Sequence, residues 1–325
     1  MARLNYETTD TLIFDPVTSH RNATRASLYT LGFRNIMTVP TLAAFNEAIW
    51  KSTPDLALCE AQGVDTELCD MIQQMRQGHS GHTNPFLVII VTAWEKTHTL
   101  VSRVLNSGAD DLILRPFSTN QLRARIDTHV ERRKNFVITH DYVGPDRRSD
   151  PDRPSAVDAF LPPNSLKMKV KDGLSLAEAQ VRLTQELRTA KDTLNVEKLR
   201  RDGFQICILW RLLQEPDDPG TAMNLAKLAN LTQGVAKRSR STEYEGAGQW
   251  CESVLAAVEG LHFGVDRNAS MHLLGHAALS LNQLLQPDKA KGEHLKLIEE
   301  TVAMIRARSV GRSSADDPLL KADSA

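Results

Sequence analysis

The chain has 325 residues, with Lys+Arg 39 against Asp+Glu 40 and a formal net charge of -1. Hydrophobic residues at 41% and charged residues at 24% exclude a collagen-like or wholly disordered chain, and the length favours two domains over one core. The balanced charge excludes a surface that acts throughout as a counter-ion for nucleic acid or anionic lipid.

From residue 11 the pattern alternates short apolar runs with helical periods. Residues 11–14 read as a strand that ends at Asp15, and 21–31 as a helix with Ala23, Ala26, Leu28 and Leu31 available for one face and Gly32 as its stop. Residues 35–39 form the next strand. Residues 41–50 form a helix capped by Thr41, with Leu42, Phe45 and Ile49 on one side. A strand at 55–59 and a helix at 65–77 follow, the helix facing inward through Leu68, Ile72 and Met75. Residues 86–91 (Phe-Leu-Val-Ile-Ile-Val) are apolar without alternation, as a central parallel strand covered on both faces must be. A helix at 95–106, a strand at 112–114 and a helix at 118–132 capped by Ser118 complete the series. Such β-α repetition predicts an α/β domain over residues 10–133 built on a doubly wound five-stranded parallel sheet. Its working site belongs beyond the carboxyl ends of the strands.

Residues 134–173 are rich in proline, including Gly144-Pro145-Asp146, Asp150-Pro151-Asp152-Arg153-Pro154 and Pro162-Pro163. This density argues against a helix or an inner strand and predicts a linker or a tail that docks on the first domain, with Tyr142 as an anchor. Residues 174–308 read as an all-α domain. Leu183, Leu187, Ala190 and Leu194 form a short coiled-coil-like seam, Gly203 marks a joint, and 204–213 is apolar on every side. Further helices are expected at 222–236, 247–259, 269–285 and 289–308, after a break at Pro216, Pro219 and Gly220. Residues 309–325 are polar and are expected to be disordered. No apolar run reaches the roughly 18 residues of a membrane span, and the polar start lacks a secretory signal. Cys59, Cys69, Cys207 and Cys251 have no C-x-x-C spacing and read as reduced core residues. A cytoplasmic chain without a membrane partner is expected.

The run Gly108-Ala109-Asp110-Asp111-Leu112-Ile113-Leu114-Arg115-Pro116-Phe117 resembles the fifth-strand signature of two-component response-regulator receiver domains. Pro54-Asp55-Leu56-Ala57-Leu58-Cys59-Glu60 resembles the approach to that family's phosphoacceptor, and Thr92-Ala93 the hydroxyl-plus-alanine pair after its fourth strand. The resemblance spans about residues 10–133 and implies the flavodoxin-like receiver fold. In that family two adjacent acids and a phosphoacceptor Asp hold magnesium. Here Asp15 keeps the first acid, Pro16 replaces the second, Glu60 stands at the phosphoacceptor position, Arg115 replaces the lysine, and Leu112 replaces the switch aromatic. Proline offers no side-chain oxygen, and Glu carries its carboxylate about 1.5 Å further out than Asp. Magnesium demands near-ideal octahedral geometry at about 2.0–2.1 Å, so the pocket of Asp15, Pro16, Glu60, Thr92 and Arg115 is expected to take neither metal nor phosphoryl group. Glu60 and Arg115 are read either as a fixed ion pair near Thr92 that locks one state, or as drifted residues of a retired site. Residual phosphorylation is the remaining alternative.

His272 and His276 lie one helical turn apart but lack an acidic partner at zinc-motif spacing, and they match a histidine phosphotransfer motif only loosely. The basic clusters Arg132-Arg133-Lys134 and Lys237-Arg238-Ser239-Arg240 read as solvated helix ends. No Gly-x-Ser-x-Gly elbow, Walker glycine loop or His-Glu-x-x-His is present. The sequence is therefore read as a non-enzymatic signalling protein without a cofactor or small-molecule substrate. It would bind other signalling proteins, or a second copy of itself, without phosphorylation. A phosphorelay component using His272 or His276 and a nucleic-acid-binding effector are the alternatives from other classes.

Overall fold

The computed structural model describes residues 4–78, 84–139, 141–147, 159–215, 220–240, 242–288 and 290–315. The chain separates into two compact units, Met1–Leu194 and Asn195–Ala325.

In the first unit five strands alternate with five helices: β1 Asp10–Phe14, α1 Thr18–Leu31, β2 Asn35–Val39, α2 Leu42–Ser52, β3 Leu56–Glu60, α3 Asp65–Arg76, β4 Val88–Ala93, α4 His98–Ser107, β5 Asp111–Leu114 and α5 Thr119–Arg132. All strand pairs are parallel, in the order β2-β1-β3-β4-β5. The α/β sheet read from the sequence is the sheet the chain forms. Its central strands β3 and β4 are buried along their whole length, which is why they carry no polar alternation. Local chemistry fixes the helix starts. The Thr41 and Thr97 hydroxyls accept from Ala44 N and Leu100 N, each at 3.2 Å, and Ser118 forms a capping box with Gln121. On α1, Ala23 and Ala26 are exposed; the inward positions are Thr24 and Leu28.

The described part of the proline-rich stretch is a folded extension. It contains β6 Phe136–Ile138, β7 Val143–Pro145 and β8 Ala159–Phe160 in an antiparallel sheet of order β7-β6-β8, followed by α6 Ser165–Val170. Pro145 is tolerated because β7 is an edge strand. The motif at 150–154 lies outside the described residues. Tyr142 is not an anchor in a groove: its hydroxyl donates to the Pro145 carbonyl 2.8 Å away, within its own turn. The docking contact is backbone on backbone. Gly108 has φ +86°, and a Cβ there would sit 2.4 Å from the Val143 carbonyl oxygen; a Cβ on Gly144 would sit 2.7 Å from Gly108 Cα.

α7 Leu176–Leu212 contributes residues up to Leu194 to the first unit. Ala190 and Leu194, with Leu187, pack against Phe86, Phe136, Ile138 and Val143, and Leu183 packs against Met168. At the amino end of β5 a charge cluster fixes the extension. Arg76 Nη2 and Arg133 Nε donate to the buried Asp110 carboxylate, each at 2.8 Å, and both guanidinium groups lie over the Phe136 ring. Lys169 of α6 reaches Asp10 at 2.8 Å and Asp55 at 2.6 Å.

The second unit contains the rest of α7 with α8 Thr221–Ser239, α9 Ala247–His262, α10 Arg267–Leu285 and α11 Lys291–Ala315. The apolar run after Gly203 supplies Ile206, Cys207, Ile208, Leu209 and Leu213 to its core, although Phe204, Trp210 and Leu212 are only partly buried. Gly203 is not a joint. α7 runs through it without interruption, because a Cβ there would meet Leu285 Cδ1 of α10 at 2.7 Å, so glycine permits close helix packing. α11 continues through 309–315, past the expected end at 308; residues 316–325 lie outside the described residues. All four cysteines are buried and unpaired. No described helix is long and apolar enough to cross a membrane.

Burial alone would raise the Asp110 carboxyl, but Arg133 and Arg76 outweigh it and hold it below the ordinary carboxylate range. The stability it contributes is present above the unfolded pKa of about 4 and is lost as the pH falls through the lower folded value. Asp110→Asn leaves two buried guanidinium groups short of their counter-charge. It is expected to cost about 3–5 kcal/mol in urea denaturation and to flatten the acid limb of the stability profile. An unchanged acid limb would assign that limb to other carboxylates. Gly108→Ala is expected to lose at least the ~1–2 kcal/mol of a left-handed alanine, plus the clash with Val143. A smaller loss in the same assay would mean that the extension is not seated there.

Candidate functional site

Four strand ends meet at the carboxyl edge of the parallel sheet. Asp15 follows β1, Glu60 closes β3, Thr92 lies in β4 and Arg115 follows β5. The β3–β4 register sets Glu60 beside Thr92, so their side chains leave the edge together. Asp15, Glu60 and Thr92 are at most 1% exposed, and the Arg115 side chain is 8% exposed. The Arg115 amide donates to the Ala93 carbonyl at 2.7 Å, and its peptide bond to Pro116 is cis.

The Arg115 guanidinium lies between the two acids. Its Nε donates to Glu60 Oε2 at 2.7 Å, while Nη2 donates to Asp15 Oδ2 at 3.1 Å and to Thr24 Oγ1 at 3.2 Å. The Phe117 ring lies 4.9 Å from its carbon. Thr92 Oγ1 donates to the same Glu60 oxygen at 2.8 Å. The remaining carboxylate oxygens take backbone amides: Gln62 N reaches Glu60 Oε1 at 3.1 Å, and Val17 N reaches Asp15 Oδ1 at 2.9 Å. Every oxygen of both acids thus has a donor.

This donor set does not suit magnesium. Pro16 is exposed and has no side-chain oxygen. The facing oxygens of Asp15 and Glu60 are already held by a permanent cation, and a divalent ion placed between them would meet a like charge. The longer Glu matches this arrangement. Its carboxylate reaches the Thr92 hydroxyl and the Arg115 fork at once, while Arg, unlike Lys, can give separate N–H groups to two acids.

Among the residues singled out from the sequence, Asp15, Glu60, Thr92 and Arg115 are brought together, Pro16 adjoins them, and Leu112 lies partly buried in the core beside α4. Thr24 was missed, although it occupies the inward position of α1 that the neighbouring alanines do not. The buried cluster around Asp110 was missed as well. Its signal was Arg76, which continues the inward spacing of Leu68, Ile72 and Met75 as a charge on a core face. Two of the basic residues read as solvated are not: Arg133 is buried on Asp110, and Arg238 pairs with Asp202. His272 and His276 are exposed on α10, and the His276 ring lies 5.6 Å from that of Trp250. No group of three or more His, Cys, Asp or Glu among the described residues could hold a metal ion.

No family model and no curated protein matches the chain. Solved structures do. The chain is similar to a signal receiver domain of a two-component histidine kinase from Clostridium thermocellum, with 17% identity over 38% of this chain and 98% of that one, and a TM-score of 0.35. It is similar to a CheY-like response regulator receiver domain from Methanospirillum hungatei, with 22% identity over 37% of this chain and 90% of that one, and a TM-score of 0.32. Full-length FixJ from B. japonicum is similar at 13% identity over 72% of this chain and 98% of that one, with a TM-score of 0.33. The strand order, parallel pairing and register stand independently of these likenesses.

Arg115→Met removes the one cation shared by Asp15 and Glu60. It is expected to cost about 3–5 kcal/mol in urea denaturation, and more than Glu60→Gln, which leaves the Asp15 contact intact. Losses below ~1 kcal/mol for both variants would mark a solvent-screened pair.

Proposed function

We propose that the first unit is a receiver-like module without phosphoryl chemistry, held in one state by the Glu60–Arg115 pair. In this reading the protein is a non-enzymatic component of two-component-type signal transduction in the cytoplasm. It binds other signalling proteins through the receiver-like domain over 10–133, with the helical region over 174–308 as its interaction domain. One observation carries the reading: the buried Arg115 guanidinium spans Glu60 and Asp15.

Phosphoryl transfer to a carboxylate depends on a free oxygen in line with the donor and on a cation that neutralises the transferred group. Both Glu60 oxygens already accept hydrogen bonds, and the cation beside it is part of the chain. A displacement near 1 Å alone can cost on the order of 100-fold in rate. The Thr92–Glu60 bond supports a second point. It puts a fixed negative charge on the Thr92 hydroxyl, so the arrangement a signal would otherwise create is present without one. The balanced overall charge and the engaged Arg133 and Arg238 favour a protein partner over nucleic acid.

Incubation of the full chain with acetyl phosphate and magnesium, followed by intact-mass measurement, is expected to give no phosphoryl adduct. A stoichiometric adduct on Glu60 or Asp15 would sink the proposal.

A further inference from the structure

The second unit has an open recess of 550 Å³ where the end of α7 meets the first half of α10. Trp210 forms one wall, and Gly275 makes room for its ring: a Cβ there would stand 2.6 Å from Trp210 Cζ2. His272 and His276 both line the recess, and both are exposed. The signalling reading leaves the two histidines without a role.

Residues four apart on an α-helix are neighbours, with Cβ atoms about 5–6 Å from each other. Two imidazoles so placed can each turn a nitrogen to one ion at the roughly 2.0–2.1 Å of a metal–nitrogen bond. α10 is helical from Arg267 to Leu285, so the backbone fixes this spacing. The other polar groups of the lining are engaged elsewhere or stand aside. Arg267 Nη2 donates to the Leu213 carbonyl at 3.1 Å, and Gln214 Oε1 accepts from Arg211 Nη1 at 2.7 Å. Asn268 lies one turn before His272 on the same stripe of α10. Among the described residues no hydrogen bond or ion pair engages either imidazole. The Trp250 ring of α9, 5.6 Å from that of His276, restricts it by packing and takes neither nitrogen.

We propose that His272 and His276 bind a divalent late transition-metal ion, Cu²⁺ before Zn²⁺, with water in its remaining positions. Imidazole suits both ions, and affinity for such donors peaks at copper. Hard cations such as Mg²⁺ take oxygen ligands, and no Asp or Glu lines the recess. Once one imidazole holds the ion, the second binds it intramolecularly and adds affinity that a single histidine lacks. Two protein ligands are fewer than the four of a closed structural zinc site. The ion is therefore exchangeable, and the second unit responds to its free concentration.

The test uses the full chain without a histidine tag, titrated with Cu²⁺ alone and followed by tryptophan fluorescence and calorimetry. Bound Cu²⁺ quenches nearby indoles, so Trp210 and Trp250 report on the site. A saturable quench at micromolar Cu²⁺ is expected, with none from Mg²⁺. His272→Ala and His276→Ala should each weaken binding by at least about tenfold. Both positions are exposed, so the circular dichroism spectrum should be unchanged. Asn268→His combined with His276→Ala again sets two imidazoles four residues apart, and most of the lost affinity should return. The proposal is overturned if Cu²⁺ does not bind in the micromolar range, or if either single variant binds it as tightly as the parent chain, as binding at other histidines would give. A double variant that stays as weak as His276→Ala would overturn it too.

Discussion

A carboxylate removed from water has to be met by a positive charge or by several N–H groups, and the first unit satisfies this constraint in three separate places. At the carboxyl edge of the sheet, Arg115 serves Asp15 and Glu60. At the amino end of β5, Arg76 and Arg133 serve Asp110. At the amino edge, Lys169 serves Asp10 and Asp55. Each cluster ties elements that are distant in sequence. The first joins β1, β3 and the segment after β5, with α1 added through Thr24. The second joins α3 and the segment after α5 to the start of β5, and the third fastens α6 to β1 and the entry of β3.

The clusters differ in what they do for the fold. Asp110 is completely enclosed, and its two arginines stack on Phe136 of the small antiparallel sheet, so charge and aromatic packing together hold the extension in place. Lys169 holds the same extension from the other side. Arg115 holds no extension. It closes a pocket in which the oxygens of both acids would otherwise face outward at the strand ends. The two outer clusters are therefore structural supports for the described part of the extension, while the edge cluster sets what the site can do chemically.

Sequence periodicity made the five strands and five helices of the first sheet legible, because burial on both faces leaves uninterrupted apolar runs such as that of β4. The pocket was legible for a different reason. Strand ends in a parallel sheet converge on one edge, and the resemblance to receiver domains singled out Asp15, Glu60, Thr92 and Arg115 on it. The extension was not legible, because proline density reports only what a segment cannot be. Pro145 on an edge strand violates no rule, and nothing local reveals that Gly108 and Gly144 approach each other. Gly203 misled for a related reason. A glycine within a helical pattern can mark a joint or a close approach, and only the presence of Leu285 against it distinguishes the two. Arg133 and Arg238 were placed on the surface by composition, since a basic run at a helix end gives no sign of a buried acid elsewhere in the chain.

The edge pocket also bears on how its residues depend on one another. Arg in place of Lys would be poorly matched to a shorter Asp at position 60, since the planar guanidinium fork needs its acceptors in its own plane at the reach of its N–H groups. Glu at position 60 without Arg115 would leave two buried carboxylates beside each other with only Thr92, Gln62 and Val17 to serve them. Pro16 adds no oxygen to either arrangement. Glu60 and Arg115 are thus physically one arrangement: the positive charge between the two carboxylates belongs to the chain itself. A pocket neutralised in this way carries its counter-charge whenever the chain is folded.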